Sequence, residues 1–408
     1  MAGIRAETPI TIAPPIRNVP SFDGVRGIGV LMVIAVHAAP LKLESFSSIL
    51  DVFLALSAFL VTTLLLEEGQ RSGTVSVRRF LTKRAWRLLP ALYVTLAVVT
   101  VVAAVLFAVA GEDADLQGFT FGGFFTQEIL PAGLYVYNLV NPLGYPNQGV
   151  ALYQMWSLSL EQQFYVLVAF LALLMVTRRW ITQMAVLMAV LAIGIQIARA
   201  TGHFGPLNFW LQRPDALMLG VVAAVINSRI PETPTARQRQ LFTVGAWVGA
   251  ATIALLMTLS ISPLQKFGWP YVPFLPEVNE TLSPQQAFEV AMAELSTGNF
   301  WVKWAFTITN WAMVPVLICM VRTPRWLLGR ALSIRPVRAV GRMSYSLYLI
   351  HTLPILLFVL PIPDGYLPLR VLVAWITAFV FAWPLYQFVE KRSMDRKNRV
   401  DTGKLATA

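Results

Sequence analysis

Residues 21–40 read SFDGVRGIGVLMVIAVHAAP. The run matches a membrane-crossing helix, which needs about 20 mostly apolar residues. It nevertheless carries Asp23, Arg26 and His37, three side chains that hydrocarbon penalises. If the run is a span, these groups are held there at a cost, and they mark chemistry. The rest of the chain argues that it is one. Of the 408 residues, 56% are hydrophobic and only 13% are charged, against about 25% charge in an ordinary soluble domain. The mean hydropathy is +0.63. Such a chain must hide apolar surface along most of its length, which predicts an all-α, polytopic membrane protein.

Working outward from 24–41, further helical spans are expected near 49–66, 87–110, 156–176, 181–198, 209–227, 241–262, 302–321, 344–361 and 367–389. That is a bundle of about ten transmembrane helices. Residues 119–143, FTFGGFFTQEILPAGLYVYNLVNPL, are aromatic and broken by Pro and Gly, and read as an interfacial or re-entrant piece. Charge placement then sets an orientation. With a cytoplasmic N-terminus, all Lys and Arg residues except Lys42, Arg199, Arg213, Lys266, Lys303 and Arg370 fall on the cytoplasmic side, as the positive-inside rule requires. An eleventh span in 119–143 would flip the later loops and destroy the pattern. Both termini are therefore expected in the cytoplasm.

This placement accounts for most of the net charge of +11 without nucleic acid. The expected organisation is a cytoplasmic segment 1–22, a membrane domain 23–392 with an outer loop 263–300, and a basic cytoplasmic tail 393–408. The Pro-rich start shows no signal peptide, so the first helix is expected to act as an uncleaved anchor. The one cysteine, Cys319, rules out an intrachain disulfide and a Cys-based metal site. No metal site is expected.

Arg26 and His37 are eleven residues apart, about three full helical turns. Both then share one face, roughly 16 Å apart along the axis. The bland reading is a membrane-edge cation and a packed histidine. The sharper one is proton transfer, to which imidazole is suited near neutral pH. A second stretch, YQMWSLSLEQQFYVL at 153–167, opens a span from the outer side and brings Glu161 to a similar depth. A carboxylate beside the His37 ring would orient it; alternatively Glu161 pairs with Arg213. A third, RRFLTKRAWRLLPALY at 78–93, puts Arg84 and Arg87 at the inner mouth, either as membrane anchors or as a dock for phosphate. A fourth, GRMSYSLYLIHTLP at 341–354, sets Ser344, Tyr348 and His351 on one face, as a packing stripe or a ligand contact. Arg213 and Asp215, in QRPDALMLG, pair with each other or meet a polar ligand. These groups also suit a proton-coupled transporter or a lipid flippase, although no two halves with matching broken helices are visible.

Together FDGVRG…H, DVFLALSAFL, RRFLTKRAWRLLPALY, WSLSLEQQFY, RPDALMLG, GRMSYSLYLIH and YQFVEKR resemble the acyltransferase 3 family of integral membrane acyltransferases, from about residue 20 to 392. The resemblance implies a ten-helix enzyme that moves an acyl group, commonly acetyl, from cytosolic acyl-CoA to a hydroxyl of an envelope glycan or glycolipid in the cytoplasmic membrane. It implies no permanently bound cofactor, with acyl-CoA as the donor substrate. It implies catalytic roles for His37, Glu161 and Arg26, with His37 as general base. Arg84, Arg87 and Arg26, with Ser344, Tyr348 and His351, are the expected acyl-CoA contacts. Asp51, Ser57, Trp156, Arg213 and Asp215 are the expected acceptor contacts. Glu161-Gln162-Gln163 stands where the family usually has Glu-Glu-Gln, and Ser57-Ala58 where it usually has Ser-Gly. The SGNH domain carried by some members is not seen, so a transfer completed unaided or through a separate partner is expected.

Overall fold

The computed structural model describes residues 16, 19–110, 120–140, 152–202, 213–272, 300–363 and 365–396. Most of the outer loop, of the basic tail and of the N-terminal segment, and His203, lie outside them. The principal helices are α1 (Pro20–Ala38), α2 (Ile49–Ser72), α3 (Val77–Ala110), α4 (121–133), α5 (Met155–Thr177), α6 (Ile181–Ala200), α7 (Pro214–Ser228), α8 (Ala236–Thr258), α9 (Trp301–Arg322), α10 (Arg335–Arg342), α11 (344–359) and α12 (Leu367–Arg396). Among the described residues, eight helices are long and apolar enough to cross a membrane, namely α1, α2, α3, α5, α6, α8, α9 and α12. The other two expected spans are shorter. α7 has 15 residues, and residues 203–212 before it lie outside the described ones. α11 is helical only over 344–359. α4 is too short to cross, since at 1.5 Å per residue it reaches about 20 Å, and it packs against α3.

Burial explains the short α7. Nearly every one of its residues is buried, because it packs on α2, α6 and α9. A helix walled by protein need not match the lipid thickness itself. The outer helices α3, α6, α8 and α12 instead expose apolar side chains such as Val105, Val190, Val248 and Val380, the surface that lipid tails cover.

Prolines interrupt the hydrogen-bond ladder of three elements that reach the candidate site. Pro90 has no N–H for the Trp86 carbonyl four residues earlier; Ser393 Oγ donates to that carbonyl instead, at 2.5 Å. Pro354 and Pro384 are each followed directly by a wide π turn, at Ile355–Val359 and Leu385–Glu390, a common accommodation of an interrupted helical ladder.

α1 and α10 approach backbone to backbone. A Cβ on Gly24 would overlap the Leu332 carbonyl, one on Gly27 the Val337 carbonyl, and one on Gly341 the Asp23 carbonyl. Backbone cannot swing aside as a flexible side chain can. Gly341→Ala should therefore cost about 1–3 kcal/mol by overpacking and lower the thermal unfolding midpoint in detergent. Gly122→Ala, with nothing within 4 Å of the added carbon, should leave it unchanged; equal midpoints for both variants would contradict the tight crossing.

Candidate active site

One end of the bundle is basic. Arg26 in the second turn of α1, Arg84 and Arg87 on α3, and Arg338 and Arg342 on α10 line a cavity of about 690 Å³, where they meet Asp23 and Glu390. The first turns of α1 and the last of α12 share this cavity, so the two described ends of the chain lie at the same end of the bundle. The carbonyls near Pro90 help to assemble it. Ser393 on α12 holds the Trp86 carbonyl, and the Tyr345 hydroxyl on α11 donates to the Leu88 carbonyl at 2.8 Å. These bonds draw the arginine-bearing turns of α3 toward Glu390, which accepts from Ser346 Oγ at 2.6 Å. Arg26 lies within electrostatic range of Arg84 and Arg87 as like charges and of Glu161 as an opposite one. The Nε atoms of Arg87 and Arg338 are buried without an acceptor. Guanidinium groups outnumber carboxylates here, and their planar forks suit phosphate.

A polar cluster lies deeper. The Arg84 guanidinium sits 4.7 Å from the Tyr165 ring centroid, within cation–π range. Tyr165 donates its hydroxyl to Glu161 Oε1 at 2.6 Å. Ser57 on α2 donates to the same carboxylate oxygen and lies 2.5 Å from the Tyr165 hydroxyl. Ser157, Glu161 and Tyr165 are spaced i, i+4, i+8 and form one stripe on α5. Ala58, the departure from the family pattern, is fitted by a glycine on the partner helix: its Cβ faces Gly220 of α7.

The far end of α1 carries the third group. His37 is half-buried. Its Nδ1 lies 2.8 Å from the Val33 carbonyl and 3.3 Å from Nε2 of His351. The two rings meet edge to face with centroids 4.8 Å apart. His351 is fully buried, and its Nδ1 is 2.8 Å from the Tyr348 carbonyl. Gln154, before α5, fixes this turn of α11 by donating to the Leu349 carbonyl at 3.1 Å and to Thr352 Oγ1 at 2.9 Å. The Tyr348 hydroxyl reaches the Gln154 carbonyl and Ser157 Oγ, each at 2.5 Å.

Several expectations are corrected by this arrangement. Glu161 does not orient His37; its carboxylate is held by Ser57 and Tyr165, and His351 occupies the place expected for a carboxylate. Glu161 also differs from the expectation in depth: it lies within electrostatic range of Arg26, toward the opposite end of α1 from His37. Arg26, Arg84 and Arg87 line the basic cavity as expected, whereas Ser344, Tyr348 and His351 do not; the last two belong with His37. Trp156 is packed in the apolar core. Arg213 and Asp215 do not pair, since residues two apart point to different helix faces. Arg213 bonds Asp51 at 2.6 Å and stacks 3.6 Å from the Phe306 ring centroid. Asp215 bonds Arg199 at 2.7 Å. Asp215 also accepts from Gln196 at 3.1 Å and Asn310 at 2.9 Å, so that with both Arg199 nitrogens it accepts four hydrogen bonds, three of them on Oδ2. Asp51 keeps one oxygen without a partner. Glu390 was not foreseen as a site residue. Its signal was the acidic member of a basic run, EKR, at the end of the last span.

A family described as an acyltransferase domain matches residues 19–387. The peptidoglycan O-acetyltransferase OatA of Listeria monocytogenes serovar 1/2a is 24% identical over 389 residues, covering 92% of this chain and 55% of the relative. The O-acetyltransferase OatA of Staphylococcus aureus strain NCTC 8325 is 25% identical over 354 residues, covering 84% and 51%. The chain thus spans about half the length of these relatives. No solved structure matches.

Proposed function

Because the chain belongs to the acyltransferase 3 family, whose domain matches it from residue 19 to 387, we propose that it is a membrane O-acyltransferase. Acyl-CoA is the donor, acetyl-CoA the first to test. The acceptor is a hydroxyl of an envelope glycan or glycolipid; peptidoglycan, which one relative is named for, is the first candidate. The chain crosses the cytoplasmic membrane ten times, with the arginine-lined mouth in the cytoplasm. One observation carries the reading: a single helix presents a guanidinium to a cavity with open arginine donors and, at its other end, a half-exposed imidazole.

In this mechanism the phosphates of acyl-CoA dock on Arg84, Arg87 and Arg26, helped by Arg338 and Arg342. The flexible pantetheine arm passes between helices toward His37. The ring takes the proton of the acceptor hydroxyl as its oxygen attacks the thioester carbonyl. The C–O bond forms, the C–S bond breaks, and the proton passes to the leaving thiolate. Asp51 and Arg213, close to the outer end, are the proposed acceptor contacts.

Binding of coenzyme A to the detergent-solubilised full chain tests the proposal. A charge-assisted hydrogen bond is worth about 1.5–3 kcal/mol, so Arg84→Ala with Arg87→Ala should weaken binding roughly 100-fold or more. Unchanged affinity in a folded double variant would remove the docking assignment. Absence of binding by the unaltered protein would leave a proton-coupled transporter as the better account.

A further inference from the structure

Two backbone carbonyls fix the protons on the paired imidazoles. A carbonyl oxygen only accepts. The 2.8 Å contact from His37 Nδ1 to the Val33 carbonyl therefore places the proton on Nδ1 of His37. By the same logic, the 2.8 Å contact from His351 Nδ1 to the Tyr348 carbonyl places the proton of His351 on its Nδ1. His351 Nε2 then carries a lone pair, and it faces Nδ1 of His37 at 3.3 Å. The His37 N–H is shared between the Val33 carbonyl and that lone pair. The remaining nitrogen of His37, Nε2, carries no proton.

We infer that His351 is a positioning residue for His37: it accepts a hydrogen bond from Nδ1–H, together with the Val33 carbonyl it holds the ring in one tautomer and orientation, and Nε2 is left as the basic atom. The inference rests on the proposed role of His37 as general base. In a catalytic triad a carboxylate does this work; here a neutral imidazole does it. Its placement is built into the helix packing. His351 is fully buried, and Gln154 and the Tyr348 hydroxyl tie its turn of α11 to the start of α5. When His37 takes a proton on Nε2, its Nδ1–H continues to donate to His351, so the imidazolium forms without rearrangement of the pair.

The chain contains three histidines, so ¹⁵N-histidine labelling of the purified full-length protein gives a spectrum that His37→Gln and His203→Gln assign. The expected result is a neutral His37 protonated at Nδ1 with a bare Nε2. His351→Phe should perturb the His37 signals and lower kcat, read as thiol release from acetyl-CoA with soluble peptidoglycan fragments, by roughly 100-fold, with KM for acetyl-CoA unchanged. His351→Gln places an amide oxygen near the lost Nε2 and should recover most of that loss. A His37 protonated at Nε2 would overturn the inference while leaving the base role standing. Equal losses in the folded Phe and Gln variants would do the same. Full turnover by His37→Ala would overturn the base role itself, and this inference with it.

Discussion

His37→Ala will lower kcat by about 10²–10⁴-fold, the usual worth of a positioned general base, and will leave coenzyme A affinity near that of the unaltered protein. The separation of effects follows from the length of α1. The arginine cavity lies at the other end of the helix, roughly 16 Å away, and His37 does not line it. Loss of the imidazole removes the proposed general base and leaves the proposed phosphate contacts in place. His37→Gln should be as slow, because an amide donates and accepts hydrogen bonds but does not take up a proton at neutral pH. The measurement pairs thiol release under saturating acetyl-CoA with coenzyme A binding to the same preparation. Normal turnover without the ring ends the mechanism; loss of binding together with turnover would point to a folding role.

Asp215→Ala will be the most damaging single change to stability among the site residues. Arg199 and Asp215 both have side chains at 0% exposure. Removing the carboxylate strands a guanidinium among α6, α7 and α9, which costs about 3–5 kcal/mol. The thermal unfolding midpoint in detergent should fall steeply and the yield of folded protein with it. Arg199→Met combined with Asp215→Leu should recover much of the loss, because well-packed apolar residues often replace a buried ion pair without cost. A single variant that unfolds at the unaltered temperature would show that this pair is not buried in the folded protein. The four hydrogen bonds that Asp215 accepts tie α7 to α6 and α9, whereas Asp51 has an oxygen without a partner.

The long helices were legible because each is a separate apolar run whose length and charge boundaries are properties of one segment. α7 and α11 were expected at the right places but at greater length, since the sequence does not tell which helices are walled by protein. The basic mouth was visible as well: Arg84, Arg87, Arg338 and Arg342 flank spans, and a surplus of cations needs no partner to be noticed. What the sequence withheld is rotation about each helix axis. Glu161 and His37 were set at matching depth, but Glu161 lies within range of Arg26 and bonds Ser57 of α2, whereas His37 meets His351 of α11. Arg199 was counted as an outer cation. Its place in the last turn of an apolar span was a signal that it needed a buried counter-charge, and the identity of that partner, Asp215, depended on packing.

The glycine crossing of α1 on α10 also bears on how the two substrates meet. With Gly24, Gly27 and Gly341 set against neighbouring carbonyls, the arginine-bearing end of α1 is packed backbone to backbone, and one helix sets the distance from the arginine mouth to the imidazole. In the proposed mechanism the stroke comes from the donor's own tether, so acyl thioesters on carriers cut shorter than coenzyme A are expected to stall at the entrance even when their phosphates are seated.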